Sequence, residues 1–292
     1  MKLFVLGGSG LIGKALIGKA SVKHEIFATY NNKDFTMSNI STMKFLFPND
    51  LEKLRKKIME ELPDIVINLI GISELNYCEN NKEEIYELNT GLPEKISNIC
   101  NKINSKFIHI STDYVFDGKN GNYKEDDITN PINYYGYTKQ ISEIKTLNYS
   151  NSIVIRTSFI YDSKLETNFI KFIFKKLDKG EEVITFDDVF ATPVFLDELI
   201  EGILKIIDSN EIGIFHIVGN ECISRFNFAK IIAKKLELNE KLIIPKSVKI
   251  IEKKVHRPQN SCLNNNKIKE ILGVKFSKLE ENLEKIKKNN SI

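Results

Sequence analysis

Tyr135 and Lys139 stand four residues apart in the run Asn133-Tyr134-Tyr135-Gly136-Tyr137-Thr138-Lys139. On a helix that spacing puts both side chains on one face. A phenol with a pKa near ~10 transfers protons poorly at neutral pH, and an ammonium beside it favours the phenolate. The pair therefore suits proton transfer to or from a carbonyl or alcohol oxygen next to a hydride carrier. Upstream, Ser111-Thr112-Asp113-Tyr114-Val115-Phe116-Asp117-Gly118 follows the apolar run Phe107–Ile110, and Thr112 offers that oxygen a second donor. In a chain with ten tyrosines a Tyr four residues ahead of a Lys arises about once by chance, so the context must decide.

The context starts at the N-terminus. Gly7-Gly8-Ser9-Gly10-Leu11-Ile12-Gly13 gathers four of the fifteen glycines, directly after the apolar run Leu3–Leu6 and at the start of a helix-like stretch, Leu11–Ala20. A strand entering such a turn presents backbone N–H groups at a helix N-terminus, which attracts phosphate. The spacing reads as Gly7-x-x-Gly10-x-x-Gly13 or as Gly8-x-Gly10-x-x-Gly13, and either admits a dinucleotide pyrophosphate. Gly7, Ser9, Gly10, Leu11, Ile12 and Gly13 are the expected cofactor contacts. The second strand ends Ala28-Thr29-Tyr30-Asn31-Asn32-Lys33, without the carboxylate that meets a ribose 2′-OH in NAD-selective sites. Tyr30 and Asn31 are expected cofactor contacts, and Asn31, Asn32 and Lys33 tolerate a 2′-phosphate, so the expected cofactor is NADPH, or both NADPH and NADH with a lean to NADPH.

These residues need elements to position them. Apolar runs at Leu3–Leu6, Glu25–Tyr30, Met43–Phe47, Ile65–Ile70, Phe107–Ile110 and Ile153–Ile155 read as strands. They alternate with helix-like stretches at Leu11–Ala20, Asp50–Glu61, Leu92–Ile103 and Tyr135–Thr146. That alternation predicts an α/β fold: a Rossmann-type, doubly wound parallel sheet covered on both faces. Ligands then bind at the carboxyl ends of the strands, where Leu69, Ile70 and Gly71 join the cofactor set. Residues 1–158 form the expected dinucleotide-binding domain, and 159–292 a smaller α/β lobe with some segments returning to the sheet. In that half Phe169–Leu177, Glu198–Ile207 and Phe226–Leu236 read as helices, and Val183–Phe186 and Ile214–Val218 as strands. Asn264 to Asn266 cap a short helix, Lys267–Leu272, which Gly273 ends. Glu280–Lys288 reads as a solvated amphipathic helix.

Together the motifs resemble the extended short-chain dehydrogenase/reductases, and within them the dTDP-4-dehydrorhamnose reductase family. The likeness spans the whole chain and is most specific at Ser111–Gly118 and Tyr135–Lys139. Arg156-Thr157-Ser158, Asn168-Phe169, Asp187-Asp188 with Thr192-Pro193, and Arg257-Pro258 add to it. The resemblance implies that Tyr135 is the general acid, Lys139 its modulator and ribose partner, and Thr112 the third catalytic group. It implies a nucleoside-diphosphate sugar as substrate, reduced at a 4-keto group, in deoxysugar and cell-surface polysaccharide biosynthesis. Asp113, Val115, Phe116 and Asn168 are then expected at the sugar, and Arg156 and Arg257 at the diphosphate. The chain departs from the family where the third strand lacks a terminal Asp and where Phe159 replaces a common Trp. It departs also at Asn264, where many members carry Asp, and at Leu69-Ile70-Gly71, which is bulkier than usual. Two other readings share the fold. One is a sugar-nucleotide epimerase or dehydratase, disfavoured by the single Asp113 beside Thr112. The other is a non-catalytic regulatory subunit like that of methionine adenosyltransferase, similar over Gly213–Leu236 and Arg257–Gly273.

Composition narrows the classes further. The net charge of +3 gives no ground for nucleic-acid binding, and the Lys-rich stretches sit on helical periodicity. Cys78, Cys100, Cys222 and Cys262 are far apart in sequence and read as buried thiols in a reducing compartment, with no zinc spacing. His109 and His216 lie in strand-like runs and read as packed core residues, so no metal is expected. No apolar stretch is long enough for a membrane span, and Met1–Leu6 is a strand rather than a signal peptide. A cytoplasmic protein is expected, with a homodimer as the assembly that the resemblance suggests.

Overall fold

The apolar runs of the first half do form parallel strands in the computed structural model, which describes residues 1–31, 35, 37, 40–162, 168–251 and 255–290. In chain order the first elements are β1 (Lys2–Leu6), α1 (Leu11–Ala20), β2 (Glu25–Tyr30), β3 (Ser41–Lys44), α2 (Leu51–Glu61) and β4 (Ile65–Asn68). Next come α3 (Leu75–Asn80), α4 (Lys82–Tyr86), a π-helical turn Glu87–Gly91, α5 (Leu92–Ile103), β5 (Lys106–Thr112), α6 (Tyr134–Leu147) and β6 (Ser152–Thr157). The remainder is β7 (Ile160–Tyr161), α7 (Asn168–Asp178), β8 (Val183–Phe186), β9 (Phe190–Ala191), β10 (Val194–Phe195), α8 (Leu196–Ile207) and β11 (Gly213–His216). It closes with β12 (Ile223–Ser224), α9 (Arg225–Lys235), β13 (Ile243–Lys246), α10 (Val248–Ile251), α11 (Asn266–Leu272) and α12 (Leu279–Asn290).

Among the described residues the main sheet has seven strands, in the order β11-β6-β5-β4-β1-β2-β3. Pairings from β3 through β2, β1 and β4 to β5 are parallel. The order reverses between β1 and β4, and in open α/β sheets the crevice outside that switch point takes the ligand. Both strands lead into segments with expected cofactor contacts, the glycine loop after β1 and Leu69–Gly71 after β4. Strands covered on both faces need continuous apolar runs, which explains why Leu3–Leu6 and Ile65–Ile67 are wholly buried. Phe4, Leu6, Phe27, Val66 and Phe107 pack with Leu54 and Ile58 of α2 and Ile96 and Cys100 of α5. Each such side chain contributes about 1.5–3 kcal/mol by leaving water.

The chain divides into two units: Met1–Thr112 with Tyr134–Arg156 and Ile200–Phe215, and Asp113–Asn133 with Thr157–Leu199 and His216–Ile292. In the second unit Ile170, Ile173 and Leu177 of α7, Phe228, Ile232 and Leu236 of α9, and Leu283 and Ile286 of α12 share one core. The expectation of a solvated last helix is corrected accordingly. Leu279, Leu283 and Ile286 recur at helical spacing, and a stripe that narrow still buries fully when charged residues cover the other faces.

Two further expectations change. The third strand is Ser41–Lys44, not Met43–Phe47, because its last register pair is Tyr30 with Lys44. Second, Cys222 and Cys262 are joined in a disulfide, while Cys78 and Cys100 stay buried thiols. Forty residues separate the pair, yet their Cα atoms are 5.6 Å apart. The reason is topological: β12 pairs with β9 through Ile223 and Ala191, and Phe190 of β9 also bridges Asn260. No helix among the described residues is long and apolar enough to cross a membrane.

Candidate active site

The glycine loop turns through Gly7, whose φ of +83° is the left-handed region that favours glycine. Gly13 is needed for close approach: a Cβ there would lie 2.4 Å from Gly7 O. Gly10 caps α1 in extended conformation, and the first bond within the helix runs from Lys14 N to Gly10 O at 2.9 Å. The amides of Leu11, Ile12 and Gly13 thus have no helical acceptor, the arrangement that suits a phosphate. Gly7 and Gly8 are tied back to Thr29, through its Oγ1 at 3.2 Å and its carbonyl at 2.8 Å.

A cavity of about 590 Å³ opens beside this loop. Gly7, Ser9, Tyr30, Asn31, Ile70 and Gly71 all border it, with Asn32 and Lys33 outside the described residues. Leu69 is not on its wall; the Leu69 amide donates to Leu6 O at 3.0 Å and extends the β1–β4 ladder. Phe45 and Phe47 supply aromatic walls at the place where the family's acidic residue is missing. An orphaned amide cluster, a nucleotide-sized cavity and flat apolar walls fit a nicotinamide adenine dinucleotide. Glu83, Glu84 and Glu87 also face this cavity.

Thr112 ends β5, and Tyr135 lies in the first turn of α6. Lys139 follows one turn later, 4% exposed, and its Nζ donates to Ile110 O of β5 at 2.6 Å. The helix face that carries Tyr135 and Lys139 is therefore laid against the end of the strand that carries Thr112. Burial pushes the Lys139 ammonium down to about 7, against the opposing pull of Glu143. One turn further, Glu143 is itself buried, with the Nε and Nη2 of Arg156 at 3.0 and 2.8 Å and the Ser111 hydroxyl bonded to it. Arg156, expected at the substrate diphosphate, is instead 3% exposed and forked onto Glu143. A buried guanidinium needs a carboxylate partner, and Glu143 supplies it.

Sequence reasoning missed several members of this cluster. Asn68 at the end of β4 holds the Ile70 amide through Oδ1 at 3.1 Å and contacts His109 Nδ1 at 3.2 Å. Asn89 in the π-helical turn exchanges two bonds of 2.9 Å with the backbone of Ile72, and reaches Thr138 at 3.3 Å. It fastens the loop after β4 to the helix that carries Lys139. His109 is buried as expected, yet it touches Lys139. Buried polar residues in otherwise apolar strands were the available signal.

In the second unit, Asp113 is 4% exposed and its Oδ2 accepts from Ser158 at 2.8 Å and Ser261 at 2.6 Å. Val115 and Phe116, expected at the sugar, are fully buried with Tyr123, Val218 and Leu263, so this expectation is corrected. Phe116 stacks on Tyr123 with centroids 4.2 Å apart; large apolar residues after a strand were spent on packing. Arg257 bonds the Tyr114 side chain, as does Arg225, whose guanidinium lies 4.0 Å over the Phe159 ring. Asn168 opens α7, and its side chain lies outside the described residues.

The chain is similar to a probable low-salt glycan biosynthesis reductase of Haloferax volcanii, 27% identical over 97% of this chain and 96% of that one. A dTDP-4-dehydrorhamnose reductase of Aggregatibacter actinomycetemcomitans is 27% identical over 98% of each. A solved structure described as a hypothetical dTDP-4-dehydrorhamnose reductase of Sulfolobus tokodaii superposes with a TM-score of 0.88. It is 33% identical over 98% of this chain and 99% of that one. With residues 1–291 matching the family described as the RmlD substrate binding domain, the chain belongs to that family.

Proposed function

We propose that this protein is an oxidoreductase of the dTDP-4-dehydrorhamnose reductase type. It uses NAD(P)H to reduce the 4-keto group of a nucleoside-diphosphate-linked 4-keto-6-deoxy sugar, in deoxysugar and polysaccharide biosynthesis. The observation that supports this best is the buried Lys139 on the same helix face as Tyr135, bonded to β5 two residues before Thr112. The same unit carries the nucleotide-sized cavity.

When bound, the reduced nicotinamide supplies a hydride to the keto carbon. As the carbonyl electrons move onto oxygen, Tyr135 gives that oxygen its hydroxyl proton. Lys139 as an ammonium stabilises the phenolate left behind, and the Thr112 hydroxyl donates to the developing alkoxide. A proton from solvent then restores Tyr135. Tyr30 and Asn31 at the end of β2 leave room for a 2′-phosphate, while Glu83, Glu84 and Glu87 on the same cavity oppose one. The expected result is use of both cofactors, leaning to NADPH; a kcat/KM ratio strongly favouring NADH would refute it.

The substrate and cofactor are metabolites of the cell interior, which supports a cytoplasmic setting; a homodimer rests on the resemblance alone, and light scattering tests it. The activity is tested by following NADPH oxidation with a panel of dTDP-, UDP- and GDP-linked 4-keto-6-deoxy sugars. Net consumption separates a reductase from an epimerase or dehydratase. Tyr135→Phe is expected to lose about 10²–10⁴ in turnover while holding NADPH as tightly as the wild type. Substantial activity in that variant would show that Tyr135 is not the proton donor.

A further inference from the structure

We propose that His109 is a positioning residue for this reaction: its tautomer sets whether Lys139 is an ammonium, and couples that choice to Asn68, which holds the amide of the cavity-lining residue Ile70. The inference rests on the reductase reading and deepens it.

His109 sits in the middle of β5, fully buried. Its Nε2 is 3.0 Å from Lys139 Nζ and 3.0 Å from Ser142 Oγ, and its Nδ1 is 3.2 Å from Asn68 Nδ2. A neutral imidazole has one N–H to place. Asn68 Oδ1 is held by the Ile70 amide, so Asn68 turns its NH₂ to Nδ1, and the ring proton must sit on Nε2. The Ser142 hydroxyl donates to Lys139 O at 2.8 Å, which leaves Oγ free to accept from Nε2–H. An ammonium has only donors, so it cannot bond an Nε2 that already carries a proton. In this arrangement the neutral amine of Lys139 is favoured.

The ammonium needs the other tautomer. With the proton on Nδ1, Nε2 accepts from Lys139, and Asn68 must turn its carbonyl oxygen towards Nδ1. That rotation takes Oδ1 from the Ile70 amide, and Ile70 lines the cavity. The placement of the ring proton therefore links the state of the catalytic lysine to the backbone that lines the cofactor cavity. Forming the ammonium takes up one proton from solvent: the Nε2 proton passes to Lys139 Nζ, the solvent proton is gained at Nδ1 and the Asn68 amide rotates, and no oxidant or reductant enters.

The surroundings leave this role to His109. On α6 itself, Glu143 favours the ammonium but is shared with Arg156 of β6 and Ser111 of β5, and Tyr135 lies one turn before Lys139. Glu79 of α3 accepts from the Tyr134 amide, and Glu94 of α5 from Lys145. Burial holds the imidazole itself well below its ordinary range, so it stays neutral and acts through its tautomer.

Two variants and one spectrum test this in the NADPH-saturated enzyme. Lys139 must be an ammonium for reduction, so kcat is expected to fall as pH rises through its ionisation. His109→Phe removes the acceptor and is expected to move that limb down by about one pH unit, a tenfold loss of proton affinity at Nζ. His109→Gln places an amide oxygen near the Nε2 position and is expected to return the limb to within about 0.3 unit of the wild type. The KM for the keto sugar is expected to stay within about twofold in both. An unmoved limb in His109→Phe, or an equal, pH-independent loss in both variants, overturns the proposal. Should His109→Phe not fold, ¹⁵N NMR of the wild-type imidazole decides: Nδ1–H is expected below the limb and Nε2–H above it. A single tautomer across the whole range also overturns the proposal. The spectrum needs no turnover, so a tautomer change without reduction of any keto sugar would sink the reductase reading and leave this coupling standing.

Discussion

Two buried clusters differ in kind. Along α6 and the strands β4, β5 and β6 of the first unit, Lys139, His109, Ser142, Asn68, Glu143, Arg156 and Ser111 are taken out of water and bonded to one another. In the second unit α7, α9 and α12 bury Ile, Leu and Phe with few polar groups among them. The apolar cluster gains from each methylene it hides. The polar cluster gains little net energy and instead fixes which groups face each other, because any one left unpaired is costly. Catalysis by proton transfer needs the second kind of order.

The sharpest way to break the contrast is to remove one member from each side. Glu143→Ala leaves the Arg156 guanidinium buried without its carboxylate and is expected to cost about 3–5 kcal/mol in urea unfolding. Replacing both, as Glu143→Leu with Arg156→Met, is expected to recover most of that loss, since no charge is stranded. If the double variant is as unstable as the single, the polar cluster is a source of stability and the contrast fails.

Leu283→Ala in α12 is the matching cut in the apolar cluster, with an expected cost of about 3 kcal/mol from lost transfer and an unfilled cavity. Here no second substitution among charged groups should compensate. A cost below about 1 kcal/mol would mean that α12 packs loosely, as a solvated helix would.

The same contrast decides what could be read from sequence. Periodicity reports apolar burial, and so β1, β2, β4, β5, α1 and α5 were legible from Leu, Ile, Val and Phe spacing alone. Motif spacing located Tyr135, Lys139, Thr112 and the glycine loop. Neither signal carries distance between strands, so nothing in the spacing tied His109 to Lys139, or Arg156 to Glu143. Arg156, Val115 and Phe116 were expected at ligands because they follow strands or bear charge. The structure gives them internal partners instead. Cys222 and Cys262 show the same limit, since their pairing follows from two bridges to the two-residue strand β9. The last helix reads as solvated for the opposite reason: its charged faces outnumber a stripe of three buried apolar residues.

The smallest expected effect is the most specific to the polar cluster. Lys139 has its ammonium pushed from the ordinary 10.5 down to about 7 in the folded protein. Between those values the unfolded chain holds a proton that the folded chain has released, so folding stability rises with pH across that window. This group alone gives a slope of about 1.4 kcal/mol per pH unit, and none below about 7 or above about 10.5. Lys139→Met keeps the volume and removes the slope. The difference in unfolding free energy between wild type and variant is therefore expected to grow with pH, other titrating groups cancelling. A difference that stays flat from about pH 7.5 to 9.5 would mean that Lys139 keeps its proton on folding. Its ammonium would then be paid for by the cluster itself, with His109 held in the Nδ1–H form throughout and Asn68 turned away from Ile70.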